Sequence, residues 1–333
     1  MPKLKPCERN ISLTIPTGSS YVDTARCLSM QNRMSFRQGM EYAYDGIEMF
    51  SLDPDAAGLL SIKRLPNTWV TLNSWNKGFS VWRRQRDEAM DESEAWSTAA
   101  RYQDFKIYFN SVHVAGEFAG LAVPELTPNN FDDLAAAQAK DPGAGMEWEH
   151  SQLIIPNIGG STGVTEEYFL HMIGDDSSTG PTKSLIKAYA ESRARPFPVD
   201  PSTVDGSSST SNPGGLYAQV FDVGENMEEV IASIRDQNES PPYLVGGVDS
   251  AFEFYPWGME AQTSEQGNIF GVLQDYLIVR SGSTIATDST GPFTALCGLI
   301  GFDNSSGESL LVKMKVAAGP YKGVMARPMQ EVN

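Results

Sequence analysis

The chain has 333 residues, 41% of them hydrophobic and 20% charged, and this composition is typical of a folded globular protein rather than a disordered one. The formal net charge of −17 argues against an open surface that binds nucleic acid. No apolar run approaches the roughly 18 residues of a membrane span, so no membrane partner is expected, and three irregularly spaced cysteines argue against a disulfide framework or a zinc site.

Residues 1–37 differ in charge from the rest of the chain. They contain six basic side chains against two acidic ones, and the basic ones are Lys3, Lys5, Arg9, Arg26, Arg33 and Arg37. We therefore predict a mildly basic N-terminal arm that leads an acidic body. Such an arm could face nucleic acid or could be a solvated tail, and the charge pattern alone does not separate these interpretations.

Residues 38–173 are predicted to form the first part of a β domain. Apolar and polar residues alternate in five stretches, which predicts strands at Met40–Ser51, Leu59–Leu65, Asp104–Val112, Trp148–Pro156 and Val164–Ile173.

An aromatic-rich stretch between the second and third predicted strands has the spacing of a helix. Leu72, Trp75, Phe79 and Trp82 recur every three or four residues, which predicts a long helix over 72–97 with these residues on one stripe. We expect Trp75, Phe79 and Trp82 to pack on the sheet or on a neighbouring subunit.

Residues 174–268 are predicted as a large insertion of loops and helices between the fifth and sixth strands. Helices are predicted at Lys183–Arg193 and Glu225–Gln237. The stretch Val204–Gly215 between them is rich in serine and glycine, which is typical of a mobile loop.

Residues 269–333 are predicted to complete the β domain. Strands are predicted at Ile269–Arg280, Pro292–Phe302 and Ser309–Ala317, and a shorter one within Tyr321–Met329. Eight substantial strands with long, uneven connections favour a mainly β fold, an antiparallel eight-stranded jelly roll (a β-sandwich), over an immunoglobulin-type sandwich.

Motifs that would indicate catalysis are weak. The G-x-S-x-G pattern around Ser161 resembles a nucleophile elbow, but a strand is predicted to follow it where the elbow needs a helix. The histidines His113, His150 and His171 are far apart in sequence and lie in no metal-binding frame, although folding could gather them. We therefore expect neither a cofactor nor enzymatic activity.

Acidic pairs in predicted loops are the one indication of a metal ion. Asp53, Asp55, Asp175 and Asp176 supply oxygen atoms that could hold Ca²⁺ where a second subunit completes the coordination shell. The plainer interpretation is that they are solvated turn residues, so no metal site is predicted within a single chain.

The chain is rich in residues that favour protein interfaces. It has 6 Trp, 12 Tyr, 15 Phe and 13 Met, and aromatic residues and methionine are enriched at large interfaces between proteins. This content favours assembly over catalysis.

Seven stretches, spread in order over most of the chain, resemble one group of viral proteins. They are Asn32–Phe50, Leu65–Trp82, Asp104–Asn110, Tyr189–Pro201, Asp236–Tyr243, Phe254–Gly258 and Ala318–Met329. In these stretches the chain resembles the coat proteins of small circular single-stranded DNA viruses that are known mainly from environmental sequencing.

The resemblance implies a jelly-roll capsid subunit that self-assembles into an icosahedral shell around a single-stranded DNA genome. Its partners would then be further copies of itself and viral nucleic acid, and it would be made in the host cytoplasm or nucleus and reside in the virion. One departure is that many small coat proteins begin with a dense arm of arginine and lysine, whereas residues 1–37 carry only six basic side chains.

Two other classes of protein remain open. A carbohydrate-binding or fibre-type β module would bind glycans through exposed tryptophans such as Trp148 or Trp257. A β-sandwich hydrolase would require His150 or His171 to meet a carboxylate in a cleft.

Overall fold

The computed structural model describes residues 7–51, 53, 56–92, 104–118, 125–129, 148–156, 165–174, 176, 182–194, 271–280, 282 and 286–332. Over these residues the chain is mainly β, with antiparallel sheets and few helices. The predicted mainly β class is confirmed.

The described residues form sixteen strands and four α-helices. The strands are β1 (Asn10–Ile15), β2 (Gly18–Asp23), β3 (Met40–Ser51), β4 (Gly58–Arg64), β5 (Tyr108–Asn110), β6 (Gln152–Pro156), β7 (Thr165–Ile173), β8 (Thr182–Ser184), β9 (Val272–Val279), β10 (Ala286–Ser289), β11 (Phe293–Ala295), β12 (Leu299–Asn304), β13 (Leu310–Val316), β14 (Ala318–Gly319), β15 (Gly323–Val324) and β16 (Ala326–Pro328). The helices are α1 (Thr24–Asn32), α2 (Trp69–Glu92), α3 (Ser111–Phe118) and α4 (Leu185–Ala194).

The first sheet has the order β1-β13-β3-β10, and β11 and β16 also pair with β3. All of its pairings are antiparallel. Ile11, Leu13 and Ile15 are buried and alternate with more exposed residues, so β1 turns one face to the protein interior. β13 alternates in the same way, which fixes the register of the pair.

The second sheet has the order β2-β12-β4-β9 and is antiparallel throughout. Leu60 and Ile62 of β4 are buried, as are Leu277 and Val279 of β9. These side chains and the inward residues of the first sheet belong to one hydrophobic core, so the two sheets pack face to face.

The N-terminal segment is part of this folded body. β1, β2 and α1 together cover most of residues 10–32, so the predicted arm over 1–37 is wrong for these residues. The charge pattern concealed a strand whose partner, β13, lies at the other end of the chain. Asp23 begins α1, because its carboxylate accepts hydrogen bonds from the backbone N–H groups of Ala25 and Arg26.

A third sheet lies in the chain between β4 and β9. Its strand β7 pairs antiparallel with β6 and parallel with β5 and β8. α2 and α4 pack against each other and against this sheet. Buried residues of these elements form a second core, which also reaches residues of β2 and β12 in the second sheet.

Several predicted elements differ from those in the structure. The third, fourth and fifth predicted strands belong to the third sheet rather than to the two large ones. The strand predicted at Asp104–Val112 is shortened to β5, because the Asn110 side chain accepts the His113 N–H at 2.8 Å and caps the start of α3. The long helix begins at Trp69 rather than at residue 72, and Glu92 is its last described residue.

The predicted strand Pro292–Phe302 is two strands separated by a short 3₁₀ turn, in which Cys297 has a φ of 57°. Of the predicted insertion 174–268, the structure describes β8 and α4, and the latter confirms the helix predicted at Lys183–Arg193. The predicted helix Glu225–Gln237 and the loop Val204–Gly215 lie outside the described residues.

Gly271 marks the return of the chain to the second sheet. Its φ is +79°, and a Cβ there would lie 2.5 Å from the Phe109 ring and 2.7 Å from the Arg64 carbonyl oxygen. Only glycine allows this conformation and this close approach. Gly271 therefore holds the start of β9 against the third sheet.

Candidate functional site

The predicted aromatic stripe packs within the chain. Trp75 stacks on Phe79 at 5.1 Å between ring centroids, and Trp75, Phe79 and Trp82 all contact the Phe105 ring at 5.5–5.8 Å. Phe105 is buried and lies three residues before the start of β5. The stripe thus fixes α2 to its own third sheet, one of the two roles predicted for it.

A glutamine further along α2 strengthens this attachment. The Gln85 side chain donates to the Ile154 carbonyl oxygen at 2.6 Å and accepts the Ile154 N–H at 3.0 Å. It therefore forms hydrogen bonds with both backbone groups of Ile154 in β6, as a neighbouring strand would.

The six predicted nucleic-acid-facing cations do not share one environment. Lys3 and Lys5 lie outside the described residues. Arg9 is half-buried, donates to the Val316 carbonyl oxygen at 2.9 Å and lies 3.7 Å from Asp45. Arg33 and Arg37 are exposed.

Arg26 does not face nucleic acid, because its side chain is buried. Its guanidinium lies 3.1 Å from the carboxylate of Glu125, and the two side chains are 1% and 0% exposed. Burial opposes the charge of Arg26, but the Glu125 carboxylate outweighs it and raises the pKa of the guanidinium.

Arg37 lies beside Lys322, an exposed cation that no sequence motif singled out, and Arg33 is exposed four residues before Arg37. We call Arg33, Arg37 and Lys322 the basic cluster. The Arg37 N–H donates to the Tyr321 hydroxyl at 3.1 Å, and the Lys322 ammonium donates to the Ser35 carbonyl oxygen. Partial burial and the charge of Arg37 lower the pKa of Lys322, as expected of cations that lie close together.

Aromatic rings support the basic cluster. Lys322 lies over the rings of Phe36 and Tyr321 at 5.7 and 5.5 Å, and these two rings meet edge to face. Cys7, the first residue that the structure describes, packs beside Gly323 and so lies next to this cluster. Exposed cations of this kind suit contact with phosphates.

A buried polar network lies where the first and second sheets meet the third sheet. Glu125 contacts Arg26 and also lies 3.8 Å from Nε2 of His113, which is fully buried. Nδ1 of His113 accepts the Phe109 N–H at 3.3 Å, so the neutral ring carries its proton on Nε2, towards Glu125. The Tyr21 ring stacks on His113 at 4.6 Å.

Asp23 is the second buried carboxylate of the network. Its Oδ2 accepts hydrogen bonds from Gln38 Nε2 at 2.8 Å and from Trp148 Nε1 at 3.3 Å. Burial, with a contribution from the charge of Glu125, raises the pKa of Asp23 to about 7. The network therefore holds a carboxyl group that titrates near neutral pH.

Folding brings two of the three histidines together. The His113 and His150 rings are 6.4 Å apart, and His150 stacks on Tyr108 at 3.7 Å. Burial lowers the pKa of His150 to about 3. Both histidines and Glu125 are buried rather than exposed in a cleft, so they link elements of the fold. His171 is also buried, and Ser161 lies outside the described residues.

The tryptophan proposed for glycan binding is engaged by the protein itself. Trp148 is half-buried, donates to Asp23, and has the Lys106 ammonium over its ring at 4.6 Å. Trp257 lies outside the described residues.

One of the acidic residues considered for calcium is already engaged by lysines. Asp176 contacts Lys183 at 3.2 Å and Lys187 at 3.4 Å, and accepts the Ser184 N–H at 2.9 Å. Although burial opposes ionisation, these ammonium groups hold the pKa of Asp176 below its usual range. A carboxylate already neutralised by two lysines is poorly suited to a calcium ion.

Asp53 is half-buried, whereas Asp55 and Asp175 lie outside the described residues. Across the described ranges, no group of three or more His, Cys, Asp or Glu side chains could hold a metal ion. None of the described helices is both long and apolar enough to cross a membrane.

No model of a protein family, no curated protein and no solved structure matches this chain.

Proposed function

We propose that this chain is a viral capsid subunit that folds as a jelly roll and self-assembles into an icosahedral shell around a single-stranded DNA genome. The order of the strands in the two large sheets is the observation that carries this proposal.

The strands of the two sheets pair in a nested pattern. β4 pairs with β9, β3 with β10, β2 with β12 and β1 with β13, and every pair is antiparallel. Strands β9, β10, β12 and β13 thus run back along β4, β3, β2 and β1 in that order. One long hairpin of eight strands, rolled into two facing sheets, has this order, and that is the topology of a jelly roll.

The chain between β4 and β9 would then be a decoration at one end of the roll. It contains the third sheet with α2, α3 and α4, and residues of β5–β7, α2 and α4 pack in the second core, which also includes residues of β2 and β12. This proposed projection starts earlier in the chain than the insertion predicted from residue 174 onwards. Long insertions between strands of a rigid β scaffold commonly carry contacts with partners.

A jelly roll would not by itself select a function, because coat proteins, lectins and cupins share that fold. The coat-protein interpretation draws support from the resemblance, whose stretches are distributed from residue 32 to residue 329. The nested strand order is compatible with the class of protein that this resemblance implies.

Electron microscopy of the purified chain tests assembly. We expect uniform closed particles that protect nucleic acid from added nuclease. A chain that stays monomeric at all concentrations and binds a glycan would contradict the proposal and favour the carbohydrate-binding alternative.

Nucleic acid is proposed to contact the basic cluster together with residues 1–6. The acidic body repels a polyanion, so contact requires cations that are grouped apart from the acidic residues. Each cation can neutralise about one phosphate, and counterions must neutralise most of the genome.

Replacing Arg33, Arg37 and Lys322 by glutamine should lower the nucleic-acid content of the particles. The matched control replaces Lys77, Arg83 and Arg84, three exposed cations of α2, and removes the same charge. The ratio of nucleic acid to protein, read from ultraviolet absorbance, checks this. Equal losses in both variants would show that total charge, rather than the basic cluster, governs packaging.

A further inference from the structure

The outward faces of the two large sheets differ in chemistry. On the first sheet, the outward face carries an ion pair between Glu48 of β3 and Lys315 of β13 together with the exposed Leu311. On the second sheet, four large apolar side chains are between 38% and 53% exposed. They are Leu59, Leu273, Tyr276 and Ile278, which we call the β4–β9 face.

Three of these four side chains form a continuous patch. Leu59 lies directly opposite Ile278 in the register of β4 and β9. Both the N–H and the carbonyl oxygen of Leu59 bond to Ser305, on the side away from β9, so Leu59 and Ile278 form a non-hydrogen-bonded pair. Side chains of such a pair lie close together, and Tyr276 follows two residues along the same face.

The edge of β9 is closed to another strand. β9 ends the second sheet among the described residues, and the N–H of Ile278 points away from β4. That N–H donates to the Asp288 carboxylate at 2.9 Å, and the N–H of Tyr276 donates to the Asp275 carboxylate at 2.9 Å. Because carboxylates occupy these donors, a partner strand cannot extend the sheet there. A partner must use the face rather than the edge.

The surroundings of the β4–β9 face favour a protein partner over nucleic acid. Asp303 lies on the same face, Asp288 bonds to the edge of β9 at Ile278, and both would repel phosphates. Lys63, which pairs with Asp303, and the exposed Arg280 supply the opposite charge. A rim that carries both signs is complementary to itself when two copies meet about a two-fold axis.

We propose that the β4–β9 face is a contact between two copies of this chain, made by side chains of the face and not by strand addition at the edge. This inference rests on the proposed function, because the contact would be one of those that join subunits in the shell. Exposed apolar patches of this kind mark interfaces in soluble proteins.

The test replaces Tyr276 and Ile278 together by threonine, which keeps strand propensity and removes apolar area. The matched control is Leu311→Thr, because Leu311 is a large exposed residue on the outward face of the first sheet. Sedimentation velocity measures self-association below the concentration at which shells form. We expect at least about tenfold weaker self-association for the double variant and no change for Leu311→Thr.

Unchanged self-association of the double variant would overturn the inference, and so would an equal loss in Leu311→Thr. A double variant with a lower melting temperature but unaltered association would mean that the chain itself covers this face, which also overturns it. If the double variant forms particles indistinguishable from those of the wild type, this contact would be refuted and the capsid proposal would stand. Wild-type dimers that weaken as expected but never form shells would support the contact and contradict the capsid proposal.

Discussion

Arg26 shows at the level of one residue how burial changes the role of a charge. Its guanidinium and the carboxylate of Glu125 are removed from water together. Removing one partner leaves the other charge buried and uncompensated, which typically costs about 3–5 kcal/mol. We expect Arg26→Leu to lower the free energy of unfolding by about this amount, as measured by chemical denaturation.

The control for this prediction is the double variant Arg26→Leu with Glu125→Leu. Because no lone charge remains, it should be closer to the wild type than the single variant. Simple additivity of the two single losses would contradict the buried pair.

Asp23 and His150 should give the stability opposite dependences on pH. The folded protein keeps a proton on Asp23 up to about pH 7, whereas the unfolded chain loses it near pH 4. Asp23 therefore lowers the free energy of unfolding as the pH rises through this window. His150 is neutral when folded down to about pH 3, whereas the unfolded chain takes up a proton below about pH 6.5. His150 therefore raises the free energy of unfolding as the pH rises from about 3 to 6.5.

Asp23→Asn removes the first of these two effects. The free energy of unfolding of this variant should rise more steeply with pH, between about pH 4 and 6.5, than that of the wild type. His150→Phe should do the reverse while keeping a ring against Tyr108. Denaturant unfolding at a series of pH values checks both slopes, and parallel curves for all three proteins would contradict the assignment.

At the scale of elements, Trp75 holds α2 more firmly than Trp82 does. Trp75 is 3% exposed and contacts Phe79 and Phe105, whereas Trp82 is half-buried. Truncating a buried tryptophan typically costs about 3–5 kcal/mol. Trp75→Ala should therefore lower the melting temperature clearly more than Trp82→Ala, as calorimetry would show. The reverse order would mean that the end of α2, not its start, carries the packing.

Elements defined by local patterns were predictable, and elements defined by distant partners were not. Met40–Ser51 was predicted with its observed bounds, because one face of β3 is buried and the other is more polar. The spacing of Trp75, Phe79 and Trp82 likewise indicated α2. β1 was missed because its alternation is short and its charged surroundings suggested an arm.

The candidate site was predictable only in part for the same reason. Arg33 and Arg37 are exposed as expected, whereas the burial of Arg26 depends on Glu125, a residue in a different loop. Lys322 joins the basic cluster through a contact with Ser35 that spans 287 residues of sequence. No local pattern around Lys322 predicts that contact.

At the scale of the whole molecule, β1 is part of the fold although the charge pattern predicts an arm there. Only a truncation that ends before β1 should therefore preserve folding. β1 pairs with β13 along its full length, and residues 11, 13 and 15 are buried in the first core. Deleting residues 2–31 should therefore prevent folding, whereas deleting residues 2–6 should leave the fold intact. Circular dichroism of the two truncated chains distinguishes them, and a folded 32–333 chain would contradict the pairing of β1.

The nested pairing of β1–β4 with β9, β10, β12 and β13 is the basis of the capsid proposal, and one measurement tests both together. It is a cryo-electron microscopy reconstruction of the particles formed by the purified chain. We predict icosahedral particles whose subunits contain facing sheets of order β1-β13-β3-β10 and β2-β12-β4-β9. The absence of closed particles under all assembly conditions, or subunits with a different strand order, would contradict the proposal.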